Sequence, residues 1–126
     1  MVPLVLIESP YRQGDRNRNL RYLAWCEFHS ASLGEVPIAS HGNCTAYWPE
    51  DDASRLKGFE WRDRLRSVCG LVAYYIDLGQ SSGMQAAYDR DCQIGVARVR
   101  RLLPIELWSQ FEAHAYPSAS MRRIAI

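Results

Sequence analysis

The stretch Leu71-Val72-Ala73-Tyr74-Tyr75-Ile76-Asp77-Leu78-Gly79-Gln80-Ser81-Ser82-Gly83-Met84 decides how this chain is read. An uncharged run from Leu71 to Ile76 enters a polar turn bounded by glycines, and a helical pattern starts behind it. An apolar run without alternation suits a strand buried on both faces, as in a parallel sheet. Leu4 to Ile7 has the same character and stops at Glu8-Ser9-Pro10. Both strands are therefore expected inside a sheet, each releasing polar residues at its carboxyl end.

Working outward, the loop from Tyr11 to Asp15 is polar, and Asp15 suits the cap of a first helix. Leu20, Leu23, Ala24, Phe28 and Ala31 supply its apolar stripe, and Gly34 stops it. Val36 to Ala39 reads as a second strand, at an edge because Pro37 cannot donate to a ladder. Glu50-Asp51-Asp52 opens a second helix with Leu56, Phe59, Trp61, Leu65 and Val68 as its apolar positions. The third helix follows Ser81, with Met84, Ala87, Tyr88 and Cys92 expected inward and Gly95 closing it. Val96 to Leu102 reads as a fourth strand, placed at the other edge by Arg98, Arg100 and Arg101. Beyond Pro104, Ile105 to Ala115 reads as a short helix.

Strictly alternating strands and helices mean an α/β fold with right-handed crossovers. The expectation is one Rossmann- or flavodoxin-like domain over residues 1–126, with 103–126 as a C-terminal helical extension. Its sheet holds about four parallel strands in the order 2-1-3-4, with helices on both faces.

Composition narrows the function. The 15 Lys and Arg against 14 Asp and Glu leave a formal charge of +1, which argues against a partner that is polymeric nucleic acid. Small anions stay open. The four cysteines, Cys26, Cys44, Cys69 and Cys92, form no CxxC pair and suit no metal site. They read as reduced thiols in a cytoplasmic protein. No run approaches the ~18 apolar residues of a membrane span, and Met1 to Ile7 lacks the basic start of a signal peptide.

In an open parallel sheet, ligands bind beyond the carboxyl ends of the strands, at the switch point, here between strands one and three. Glu8, Asp77 and Asp89 are the candidate catalytic carboxylates. Ser9, Tyr11, Arg12, His41, Ser81, Ser82, Gly83 and Gln85 are the candidate substrate-binding residues. The Gly79–Gly83 loop either cradles an anion at a helix start or is an ordinary serine cap with a glycine turn. Glu8 is either a site residue or the partner of a nearby arginine. Gln85 and Asp89, four apart, share one helix face.

Glu8-Ser9-Pro10-Tyr11-Arg12, Ala39-Ser40-His41 and the segment from Asp77 to Gln85 resemble the nucleoside 2-deoxyribosyltransferase-like proteins, in particular a small phage and bacterial subgroup. The likeness runs from residue 4 to about 102. It implies hydrolysis or transfer at the N-glycosidic bond of a (deoxy)nucleoside or nucleoside monophosphate. In that family a glutamate near the start of the third helix attacks C1′, where an oxocarbenium-like transition state needs a carboxylate. Aligning Gly83-Met84 with the family puts Gln85 at that glutamate's place, and aligning Ser82-Gly83 puts Ala87 there; neither is a nucleophile. Asp89 or Glu8 would then supply the carboxylate, or else the chain binds a nucleotide without cleaving it, as a sensor or sequestering protein. The resemblance implies a small-molecule nucleoside or nucleotide partner, no cofactor, no metal and a homodimer or larger homo-oligomer.

Overall fold

The computed structural model describes residues 2–12, 14–39, 49 and 51–117. The chain runs β1 (Leu4–Glu8), α1 (Arg16–Ser32), β2 (Val36–Ile38), α2 (Asp52–Val68), β3 (Leu71–Tyr75), α3 (Ser82–Gln93), β4 (Arg98–Arg101) and α4 (Ile105–Glu112). The four strands form one sheet in the order β2-β1-β3-β4, and every pair is parallel. In the central pair Leu6 lies opposite Val72 and Glu8 opposite Tyr74. The expected order and the two expected edge strands are therefore what the chain adopts.

Strand geometry explains why β1 and β3 carry no alternation. Successive side chains point to opposite faces, and here both faces are covered. Val5, Ile7, Ala73 and Tyr75 pack with Tyr22, Leu23, Trp25 and Cys26 of α1 and with Leu107 and Phe111 of α4. Leu6, Val72 and Tyr74 pack on the other face with Met84 of α3, Leu65 of α2 and Tyr88 of α3.

Helix ends follow their capping residues. Asp15 caps α1 by accepting from the backbone N–H groups of Asn17 and Arg18. Asp51 caps α2 through Ser54 N–H, and Ser81 caps α3 through Met84 N–H. Gly34 and Gly95 follow α1 and α3 with φ of 83° and 75°, the left-handed geometry that lets a chain leave a helix without a Cβ penalty.

The buried stripes differ from the expected ones in three helices. In α1 the inward residues are Asn19, Tyr22, Leu23, Trp25, Cys26 and Ser30, while Ala31 is exposed. The aromatic residues, with more area to bury, take the inward face. In α2 Leu56, Phe59 and Val68 are exposed, and the buried residue is Arg62. In α3 Cys92 is exposed and Asp91 is fully buried. Counting heptad-like from Met84 through Ala87 and Tyr88 leads to 91. A charged residue can hold that position only if paired, and Arg62 pairs with it.

Candidate functional site

The carboxyl ends of β1 and β3 open onto a cavity of about 330 Å³. Its walls are the β1–α1 loop and first turns of α1 (Pro10, Gly14, Asp15, Arg18, Asn19) and the β3–α3 loop (Leu78, Gly79, Gln80, Ser81). This is the switch point between the two central strands, where open α/β sheets take ligands. Two of its residues set the loop paths. Gly14 and Gly79 have φ of 78° and 90°, and a Cβ at either would meet nothing within 4 Å. Backbone conformation, not crowding, therefore requires glycine there.

The lining is polar on both sides. Asn19 is buried, and its Nδ2 donates to the Tyr11 carbonyl at 2.9 Å, fixing the β1–α1 loop against α1. The Arg18 guanidinium lies 5.3 Å over the Phe111 ring, and no ion pair joins it to a described carboxylate. Ser81 Oγ accepts from Met84 N–H at 3.2 Å. The first N–H groups of α3 behind it have no intrahelical partner, as at any helix start. The cavity thus presents a guanidinium, a cap hydroxyl and a helix start, groups suited to an anion, beside the Asp15 carboxylate.

The three candidate carboxylates sit elsewhere. Glu8 Oε1 accepts from Arg62 Nε at 2.7 Å. Arg62 Nη2 also donates to Asp91 Oδ2 at 2.8 Å and to the Tyr74 hydroxyl at 3.1 Å, while the Tyr74 hydroxyl donates to the same Asp91 oxygen. Arg66 Nη1 approaches Asp91 Oδ1 at 3.6 Å. Burial lifts the Glu8 carboxyl above its usual range while the Arg62 cation opposes it. Burial also raises the Tyr74 phenol, and its bond to Asp91 adds to that. Glu8 is thus ion-paired with Arg62.

Asp77 is tied into the frame beneath the β3–α3 loop. Its carboxylate accepts from the Tyr22 hydroxyl at 2.6 Å and from Leu103 N–H at 3.0 and 3.2 Å. Its own N–H donates to the Tyr22 oxygen at 2.9 Å. Burial, with Asp77 close by, holds the Tyr22 phenol far above its ordinary value. Asp89 is exposed on α3 and accepts from Gln85 Nε2 at 2.8 Å. Both residues therefore share a solvent face, not the cavity wall.

Among the candidate binding residues, Ser81 lines the cavity. Ser82 and Gly83 follow it as the exposed first residues of α3. Ser9 is buried next to Pro10, and Tyr11 is half-buried with the Arg16 guanidinium 6.0 Å over its ring. Arg12 is exposed and outside the cavity wall, where Arg18 stands instead. His41 and its neighbour Ser40 lie outside the described residues, as do Tyr47 and Trp48. The structure thus brings the Tyr11 and Ser81 loops to one crevice.

Sequence reasoning missed Asp15, Arg18 and Asn19 as cavity residues. The signal was present: residues of the first turn after a strand-end loop look back onto that loop. A family model described as a domain of unknown function (DUF7768) matches residues 3–100. The chain belongs to this family. No curated protein matches it. A solved structure of a 2-deoxyribosyltransferase from the psychrotolerant bacterium Bacillus psychrosaccharolyticus is similar, with a TM-score of 0.62, 10% sequence identity, and coverage of 94% of this chain and 95% of that chain. At that identity the likeness is one of fold: this member of the family has the α/β architecture of a deoxyribosyltransferase. Among the described residues no helix is long and apolar enough to cross a membrane.

Proposed function

We propose that this chain binds a nucleoside or nucleoside monophosphate in the cavity between the β1–α1 and β3–α3 loops, as a sensor or sequestering domain. The observation that carries this reading is the lining itself: Arg18, Asn19, Gln80 and Ser81 meet at the switch point of a sheet shared with a 2-deoxyribosyltransferase. A cavity of about 330 Å³ sits at the small end of ligand pockets, enough for one nucleotide rather than a dinucleotide. Turnover at C1′ calls for a carboxylate aimed at the sugar. Gln85 stands where the resemblance would place it, Glu8, Asp77 and Asp89 are each engaged outside the cavity, and Asp15, whose carboxylate does line the cavity, is held as the cap of α1.

Thermal unfolding with each common nucleoside and nucleoside monophosphate tests the reading. A ligand at a hundred times its dissociation constant stabilises the folded chain by about 2.7 kcal/mol. The expected result is a raised Tm with the nucleotide recovered intact. Release of free base would instead make the chain an enzyme that cleaves the N-glycosidic bond. No shift with any of these compounds would remove the proposal.

A further inference from the structure

Asp15 lines the cavity and also caps α1. Both cap bonds, from Asn17 N–H at 2.9 Å and Arg18 N–H at 3.2 Å, fall on one oxygen, Oδ1. They anchor that oxygen and leave Oδ2 outside the cap. Among the described residues no ion pair joins Asp15 to a cation, and none joins Arg18, three residues on in the same wall, to a carboxylate. One cavity wall therefore carries an acceptor-only group and a donor-only group that do not neutralise each other. Such a pair matches a ligand that bears both a hydroxyl donor and an anionic group.

We infer that Asp15 Oδ2 accepts a hydrogen bond from a sugar hydroxyl of the ligand, and that Asp15 together with Arg18 selects phosphorylated nucleosides that keep that hydroxyl. The inference rests on the proposed binding of nucleotides in this cavity. Its physical basis is preorganisation: the cap already holds the carboxylate, so little side-chain freedom is lost when the hydroxyl arrives. Asp15 is exposed in the free protein, so a ligand that covers Oδ2 without offering a donor removes its water and puts nothing in its place, which is where selectivity of this kind originates.

Substitution at this residue can separate the cap from the binding role. Serine caps a helix about as well as aspartate, so Asp15→Ser keeps α1 closed while removing the second oxygen. The measurement is the dissociation constant of the whole chain for each of the four 2′-deoxynucleoside 5′-monophosphates and its 2′,3′-dideoxy counterpart. The wild type is expected to prefer the hydroxyl-bearing form by about tenfold or more, the worth of one hydrogen bond to a charged group. Asp15→Ser is expected to lose that preference with its ligand-free Tm unchanged. Equal binding of both forms by the wild type, or an undiminished preference in Asp15→Ser, overturns the role of Asp15 and leaves nucleotide binding standing. Absence of binding by all eight probes overturns the proposed function, and the inference with it.

Discussion

Tyr74 and Tyr75 are neighbours on β3, yet each anchors a polar network on the opposite face of the sheet. On the α2–α3 face, Tyr74, Arg62, Glu8 and Asp91 close on themselves, and Asp91 is fully buried. On the α1 face, the Tyr75 hydroxyl meets His29 Nδ1 at 2.8 Å and accepts from Arg101 Nη1 at 3.3 Å. Arg101 in turn grips both oxygens of Glu35 at 2.8 and 2.7 Å, and Ser30 Oγ donates to Glu35 Oε1 at 2.8 Å. The Glu35 and Arg101 side chains retain 13% and 14% of their exposure. The two networks use similar groups at different depths. Depth at the centre decides what each contributes: the network built on fully buried Asp91 is dangerous to break, and the shallower one responds to acid.

Breaking the sealed network should give the largest effect. Asp91→Ala leaves Arg62 buried without one of its three partners, so chemical denaturation should show a loss of about 3–5 kcal/mol. A loss below about 1 kcal/mol, the scale of an exposed pair, would erase the contrast between the faces. Next comes the pair of tyrosines. Tyr74→Phe orphans acceptor capacity in a fully buried site and should cost about 1–3 kcal/mol, whereas Tyr75→Phe should cost about 1 kcal/mol or less, because Arg101 and Glu35 still hold each other. Urea midpoints of the two variants, compared at equal slope, measure this directly; reversed ranking would contradict the role given to depth.

The smallest effect is in pH dependence, and it sharpens the comparison. Burial and then the Arg101 cation hold the His29 pKa below its ordinary 6.5, outweighing Glu35 and Asp77. A lowered folded pKa means the unfolded chain binds the proton more tightly. The stabilisation is therefore full above about pH 6.5 and is lost as pH falls through the lowered folded value. The Glu35 carboxyl lies below its ordinary 4.5, chiefly through the bond from Arg101. Its contribution is present above that value and is lost at lower pH still. Melting curves of the wild type from pH 7.5 to 5.5 should decline relative to His29→Gln; parallel curves would show that His29 titrates alike in both states.

Much of this molecule could be read from the chain. The unbroken apolar runs of β1 and β3 implied burial on two faces, and the alternation of elements implied the parallel order. Asp15, Ser81 and Gly95 carry their signals locally, because capping and positive φ depend on a few neighbouring atoms. The two loops at the switch point followed from topology alone. What the sequence left open was every question of partnership. Nothing within a few residues of Glu8 or Asp91 shows that Arg62, on another helix, will neutralise both. Nothing near Asp77 shows that Tyr22 and Leu103 will occupy its oxygens, or that Asp89 will turn to Gln85 and solvent. Carboxylates at strand ends look alike in one dimension. Long-range packing decides which charges are paired and which face a cavity, since only it sets the distance and desolvation on which electrostatic energy depends.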